Sequence, residues 1–474
     1  MSVPLPAVVP PARDWASLIP VIAGLVWLTL GSGPAWLLLA VLPGVLLIAT
    51  GVSALLWSGD SRITHYGALA GVLGVLFAVP GLFLLPLPGV LLAGLLSAAA
   101  FVSAGRTALR LAEPAPGAPE PPADIKTWTK AALDEALVGY FVALAKIPAG
   151  SEAESLVRDA AVMEAVLAQR GWLDNPASYH QTPSAPTDAR LTPARFAGFD
   201  YEQLRFASGF EPQPEVPGAA LWQSYLPNRD CHASVFRQSQ RGRPWLLCIH
   251  GYRMGTPFLD LRLFAPHIYF KRLGLNLVMP VLPLHGPRRI GRRSGDHFLD
   301  GDPLDLLFAE TQALWDLRRT VAWIRAQEPE ARIGVLGYSL GGYNAALLAT
   351  HETGLDFVIS GIPVADFATV LWQHVPTPLR QYFEAEGLSR ERYQRLLKVV
   401  SPLALPAKLP ADRLHLFAGS ADRVVPPVQP LKLARHWQRN VHWFPGAHLT
   451  FRGERSVVRC IDDAMIGAGW KSAS

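Results

Sequence analysis

Ile333-Gly334-Val335-Leu336-Gly337-Tyr338-Ser339-Leu340-Gly341-Gly342-Tyr343-Asn344-Ala345-Ala346-Leu347-Leu348-Ala349 is the stretch whose reading decides the fold. Short apolar residues run into Gly-x-Ser-x-Gly, and a small-residue helical pattern follows. Strand, sharp turn and helix in that order are the context a nucleophile elbow requires. The turn strains the serine backbone, and Gly337 and Gly341 supply positions without a Cβ where strand and helix cross. The hydroxyl of Ser339 is then expected to project above the end of a sheet.

A serine hydroxyl is a poor nucleophile at neutral pH and needs a positioned base. It also needs donors aimed at the oxyanion that develops during attack. The sequence offers a candidate for each part, in the chain order serine, acid, histidine expected for this architecture. His448 is the expected base: it follows the strand-like Trp443-Phe444 and a Pro445-Gly446 turn, late in the chain, where a loop can carry an imidazole. Its rival His442 falls inside the preceding strand. Asp422 is the expected acid, in the small-residue turn Gly419-Ser420-Ala421-Asp422 after an apolar strand, with Asp366 as the alternative. His250-Gly251-Tyr252 follows the apolar run Trp245–Ile249, which points to the amides of Tyr252 and Leu340 as oxyanion donors. His285-Gly286 is a second such pair, expected to shape the following loop. That loop carries Arg288, Arg289, Arg292 and Arg293 within six positions, a cluster suited to a phosphate or carboxylate on a substrate, or to anionic lipid headgroups.

Around the elbow, strand-like runs alternate with helical ones: Trp245–His250, Leu275–Pro280, Ile333–Leu336, Phe357–Gly361 and Leu414–Ala418, with Ala309–Ala326 helical between two of them. Such alternation implies a largely parallel sheet covered by helices. Tyr201–Phe210 and Cys231–Gln238 read as antiparallel strands at its start. A long insertion at about 367–403, helical over Leu379–Leu397, is expected to form a cap. Its Leu371, Trp372, Tyr382 and Phe383 suit either an acyl chain or packing against the domain.

The N-terminal quarter is different in kind. Only 17% of the 474 residues are charged, against roughly 25% in soluble domains, and the shortage is concentrated. No Asp, Glu, Lys or Arg occurs from Trp15 to Gly59, nor from Ile63 to Gly105. Each block is about twice the ~20 residues that cross a bilayer, and each is broken near its middle, by Gly31-Ser32-Gly33-Pro34 and by Leu85-Pro86-Leu87-Pro88-Gly89. Two hairpins of four spans are expected, near 16–30, 35–57, 66–85 and 89–106. Leu-Pro-Gly-Val-Leu-Leu recurs at 42–47 and 87–92. The first span lacks a basic leader and a small-residue cleavage site, which argues against a signal peptide. Arg13, Arg106 and Arg110 flank the outer ends and favour cytoplasmic termini, hence an integral protein of the bacterial inner membrane with its catalytic part in the cytoplasm.

The expected organisation is therefore a transmembrane region over 1–112, a proline-rich linker over 113–124, a helical lead-in over 125–199 and a catalytic domain over 200–474. In the lead-in, Leu133, Leu137, Phe141 and Leu144 fall at helical spacing, as expected of an amphipathic pair packing on the main domain. Three cysteines form neither an even framework nor a metal spacing, and the net charge of +5 comes without the basic-aromatic interleaving of a nucleic-acid groove.

Cys248-Ile249-His250-Gly251, Gly337–Gly342, Gly419–Pro427 and Gly446-Ala447-His448 together make residues 200–470 resemble the α/β-hydrolase superfamily. With Leu282-Pro283-Leu284-His285-Gly286-Pro287-Arg288 added, the chain resembles bacterial relatives of the abhydrolase-domain 18 type. The resemblance implies an α/β-hydrolase fold with a mostly parallel sheet and a helical cap, preceded here by an all-α transmembrane region. It implies a serine hydrolase that needs no cofactor or metal, acting on a carboxylic ester such as a lipid acyl ester. The lipid bilayer is the expected partner, and nucleic acid is not. A peptidase of the prolyl-oligopeptidase kind, or a membrane scaffold whose hydrolase-like domain only binds, are the competing expectations.

Overall fold

Four apolar helices open the computed structural model, which describes residues 13–472: α1 (Leu18–Thr29), α2 (Pro34–Leu56), α3 (Arg62–Gly81) and α4 (Leu87–Arg110). The last three are long and apolar enough to cross a membrane, whereas α1, with its 3-10 lead-in from Trp15, is shorter. Their packing relies on small residues. A Cβ on Gly24 would lie 2.4 Å from the carbonyl oxygen of Gly44, and one on Gly71 would lie 2.7 Å from the Cβ of Phe101. Helices that cannot use water to drive association approach this closely and hydrogen-bond across the contact. Trp27 stacks on Trp36 at 5.4 Å and donates to Ser97 at 2.9 Å, while Leu38, Phe83 and Leu95 point outward and are mostly exposed. Asp14 accepts hydrogen bonds from Arg106 and Arg110, which ties the start of this bundle to its end.

The described chain forms two compact units. One contains the apolar bundle, the next helix α5 (Ile125–Leu144) and two later loops, 419–427 and 443–454. Here the lead-in departs from expectation, because α5 packs on α3 and α4. Its buried face is not the leucine stripe: Leu133 is 41% exposed, while Ala131, Ala132, Asp134 and Glu135 are buried. Small residues win that face because the backbones come very close. Gly139 sits on the carbonyl oxygen of His65, and Gly105 of α4 leaves no room for a Cβ beside the carbonyl oxygen of Trp128.

The other unit is α/β. After α6 (Ser151–Gln169) come β1 (Arg190–Phe196), β2 (Phe199–Ala207), the short α7 (Ala219–Ser224), β3 (Asp230–Phe236) and β4 (Trp245–Ile249). Then follow α8 (Pro257–Phe264), β5 (Asn276–Pro280), α9 (Asp305–Gln327), β6 (Ile333–Tyr338), α10 (Leu340–Ala349) and β7 (Phe357–Gly361). The insertion contributes α11 (Phe367–Trp372), α12 (Thr377–Ala385) and α13 (Arg390–Leu396), and the chain closes with β8 (Leu414–Gly419), α14 (Val428–Trp437), β9 (His442–Phe444) and α15 (Arg455–Gly467), of which Gly419 and the last two residues of β9 count with the first unit. The sheet order is β1-β2-β3-β5-β4-β6-β7-β8-β9. β1, β2, β3 and β5 pair antiparallel, and β5, β4, β6, β7 and β8 run parallel. Every residue of β4 to β8 is buried, as strands covered by helices on both faces must be. The expected fold class holds.

Candidate active site

Ser339 ends β6 and begins α10 with φ 58° and ψ −117°, a conformation that costs a residue with a side chain roughly 1–3 kcal/mol. Surrounding packing enforces it. A Cβ on Gly337 would stand 1.9 Å from the carbonyl oxygen of Gly341, and a Cβ on Gly341 would stand 1.9 Å from that of Ile249. Only glycine lets β6, β4 and α10 meet there. Ser339 N–H donates to the carbonyl of Gly361 at 2.9 Å, which pins the turn to the end of β7. The side chain remains partly accessible.

Leu340 is the first residue of α10, so its N–H has no acceptor within the helix. Gly251 lies beside the elbow: a Cβ there would be 3.6 Å from that of Ser339. This brings the start of the His250–Tyr252 turn to the serine, as an oxyanion loop requires. His250 itself is a brace. Its Nδ1 bonds the carbonyl of Gly251 at 2.8 Å and its Nε2 accepts from Leu282 N–H at 3.1 Å, which is the neutral imidazole. Burial pulls its pKa down to about 4. His285, also buried, packs against it at 5.0 Å, and Arg253 pairs with Asp296 and Asp300 to lash the same turn to the arginine loop.

The four arginines of that loop separate by environment. Arg288 is fully buried and spends its guanidinium on Asp316 at 2.7 Å and on the carbonyls of Val281 and Asn228. It is committed to the interior. Arg289, Arg292 and Arg293 are exposed. Asp366, the alternative acid, caps α11 through Thr369 and pairs with Lys432 at 2.6 Å. In the insertion Trp372 and Phe383 are buried, and so serve packing.

In the helical unit, Asp422 and His448 meet. His448 Nδ1 lies 2.7 Å from Asp422 Oδ2, and Asp422 Oδ1 accepts from the amides of Val424 and Val425 at 3.0 and 2.7 Å. Both side chains are almost wholly buried. The carboxylate fixes the tautomer with hydrogen on Nδ1, leaving Nε2 as the basic atom. Burial pulls the imidazole pKa down, but the charge and hydrogen bond of Asp422, aided by Asp134, outweigh it and leave the pKa raised. His442, the rival base, has its pKa lowered, chiefly by burial.

Two acidic residues of α5 were not among the expected site residues. Asp134 accepts from the amides of His448 at 2.7 Å, Leu449 at 3.2 Å and Arg423 at 3.0 Å. Glu135 accepts from Arg423 Nε at 2.8 Å and Thr64 Oγ1 at 2.5 Å, with His65 Nδ1 at 2.6 Å. The only trace of this in the sequence is an acidic pair at a helix position that leucine spacing assigns to solvent.

Comparison with known proteins finds relatives of the chain. Residues 316–451 match the model of the prolyl oligopeptidase family, a segment that contains Ser339, Asp422 and His448. An uncharacterized protein of Mycobacterium tuberculosis strain CDC 1551 / Oshkosh is 38% identical over 302 residues, 63% of this chain and 72% of that protein. Its counterpart in strain ATCC 25618 / H37Rv is 37% identical over the same shares. Among solved structures, acetyl xylan esterase 1 from Thermoanaerobacterium sp. is similar at 18% identity and a TM-score of 0.42, over 64% of this chain and 93% of that one.

Proposed function

The chain belongs to the α/β-hydrolase superfamily, in one family with those mycobacterial proteins, and is a serine hydrolase; from that premise we propose that it cleaves carboxylic esters at a membrane. In this reading Ser339 Oγ attacks the acyl carbonyl while His448 Nε2 takes its proton. Asp422 orients the imidazole and stabilises the imidazolium, and the amides of Tyr252 and Leu340 receive the oxyanion. The imidazolium returns its proton to the leaving alkoxide as the ester C–O bond breaks. Water, deprotonated by His448, then releases the acid from the acyl-enzyme. The exposed Arg289, Arg292 and Arg293 are the proposed contacts for an anionic part of the substrate.

One observation carries the reading: a serine held at φ 58° between two glycines that admit no Cβ. Nothing in folding requires a hydroxyl there, and the strain is characteristic of a functional turn. The His448–Asp422 pair supports the same chemistry from the other unit.

Membrane attachment rests on three helices of sufficient length and apolarity, with small residues and paired polar groups facing inward and large apolar side chains outward. With a bilayer as anchor, lipid acyl esters are the substrates at hand. Arg13, Arg106 and Arg110 near the bundle's outer ends favour cytoplasmic termini in a bacterial inner membrane. A reporter fused to the C-terminus is expected to report the cytoplasm, and periplasmic activity would reverse the orientation.

Peptide bonds are the second reading, favoured by the prolyl oligopeptidase match. Fluorophosphonate labelling of the wild-type chain and of Ser339→Ala tests the nucleophile, with labelling expected only in the first. A panel of acyl esters against peptide amides then decides between the substrate classes. A folded wild-type chain that resists the probe would leave a binding scaffold as the better account.

A further inference from the structure

The apolar bundle and the two loops that carry Asp422 and His448 share one buried junction, and it is made by adjacent residues of α5. Asp134 gathers three backbone amides, one from the acid loop (Arg423) and two from the base loop (His448 and Leu449). Its neighbour Glu135 takes the guanidinium of that same Arg423 and, on its other side, Thr64 and His65 at the start of α3. Both carboxyl groups are fully buried. Burying two adjacent acids is costly unless each is compensated, so a helix that needed only packing would hold alanines here, as it does at Ala131 and Ala132.

Resting on the triad reading above, we propose that Asp134 is a positioning residue for the acid and the base. It sets the separation and tilt of their two loops, and Glu135 registers that arrangement to the apolar bundle through Arg423 and His65. The bundle is thereby part of the catalytic framework as well as an anchor.

Geometry supports this over simple burial. A loop amide can be satisfied by water or by its own turn, yet here three amides from segments far apart in sequence converge on one carboxylate. The bonds at His448 and Leu449 fix the backbone on which the imidazole is mounted, and the bond at Arg423 fixes the residue next to Asp422. The charged groups around the imidazole are Asp422 and Asp134, with Arg423 paired to Glu135 and Lys130 paired to Glu454 on the same elements. Asp134 therefore acts on His448 through position and through charge. Burial and the neighbouring Asp422 push the pKa of Asp134 itself up to about 7, so above that pH its charge supports the protonated imidazole, and removing it should lower the pH at which the base becomes neutral.

The test is the rate of fluorophosphonate labelling against pH, on the full-length chain in detergent, for the wild type, Ser339→Ala and Asp134→Asn. The expected result is labelling of the wild type, none of Ser339→Ala, and for Asp134→Asn a rate at least tenfold lower with its acid limb moved to lower pH. A folded Asp134→Asn that labels at the wild-type rate with an unmoved limb overturns the inference and leaves the triad intact. An unlabelled, folded wild type overturns the triad itself, which is a distinguishable result. Should Asp134→Asn fail to fold, hydrogen exchange of the wild type decides. The amides of Arg423, His448 and Leu449 are expected to exchange at least a hundredfold slower than exposed loop amides, and exchange at exposed-loop rates overturns the inference.

Discussion

A Cβ placed on Gly341 would stand 1.9 Å from the carbonyl oxygen of Ile249, so β4 and α10 touch through the backbone beside Ser339. Neither partner can yield, since both are main chain, one in the sheet and one in a buried helix. Gly341→Ala should therefore cost more than about 3 kcal/mol, beyond the usual penalty of overpacking. Thermal unfolding of the purified variant checks this, and a melting temperature within a few degrees of wild type would refute it.

Strain at Ser339 gives a prediction of opposite sign. At φ 58° a glycine sits without penalty, so Ser339→Gly should be more stable than wild type by about 1 kcal/mol while losing all labelling. Ser339→Ala keeps the Cβ and should gain little. Comparing the two melting curves separates backbone strain from loss of the hydroxyl.

Acidity follows from the raised pKa of His448. The base works only when neutral, so turnover should fall as pH drops through a value above the ordinary ~6.5 of histidine. Asp422→Asn removes the main cause of the rise, so its acid limb should lie lower and its rate fall by about 10⁴. The same shift has a sign for folding. Stability from the pair is fully present below roughly pH 6.5 and fades as pH rises through the folded pKa. A pH series of melting temperatures for wild type and His448→Gln measures it.

The arginine loop should divide cleanly. Arg288→Ala leaves Asp316 buried without its partner and is expected to cost about 3–5 kcal/mol. Arg292→Ala, at an exposed position, should leave the melting temperature unchanged. If the loop grips an anionic substrate, Arg292→Ala raises KM for that substrate and leaves kcat alone.

What could be read from the residues was set by where the physics is local. The parallel strands announce themselves because burial on both faces makes them continuous apolar runs, as in Leu246-Leu247-Cys248-Ile249. The elbow announces itself because its Gly-x-Ser-x-Gly spacing is local: Gly337 is demanded by the backbone of Gly341, although Gly341 in turn meets Ile249 far away in sequence. β1 escaped notice: Arg190–Phe196 is an edge strand without a buried residue, and it carries Pro193, which an edge alone tolerates. Asp134 was hidden for the converse reason. Its role depends on amides 289 and 314 positions away, and leucine spacing on α5 pointed to the wrong face. The fate of Arg288 was equally invisible, since nothing near it in sequence reveals Asp316.

Composition suggests cutting the chain at its run of prolines to obtain a soluble enzyme. The close seat of Gly139 on His65 and the bonds from Thr64 and His65 to Glu135 warn against that shortcut. A fragment beginning at residue 125 would keep α5 but strip it of α3 and α4, exposing a face built for close contact and leaving Glu135 with Arg423 but without Thr64 and His65. Such a fragment should be sticky and sluggish even though every residue of the proposed triad is present.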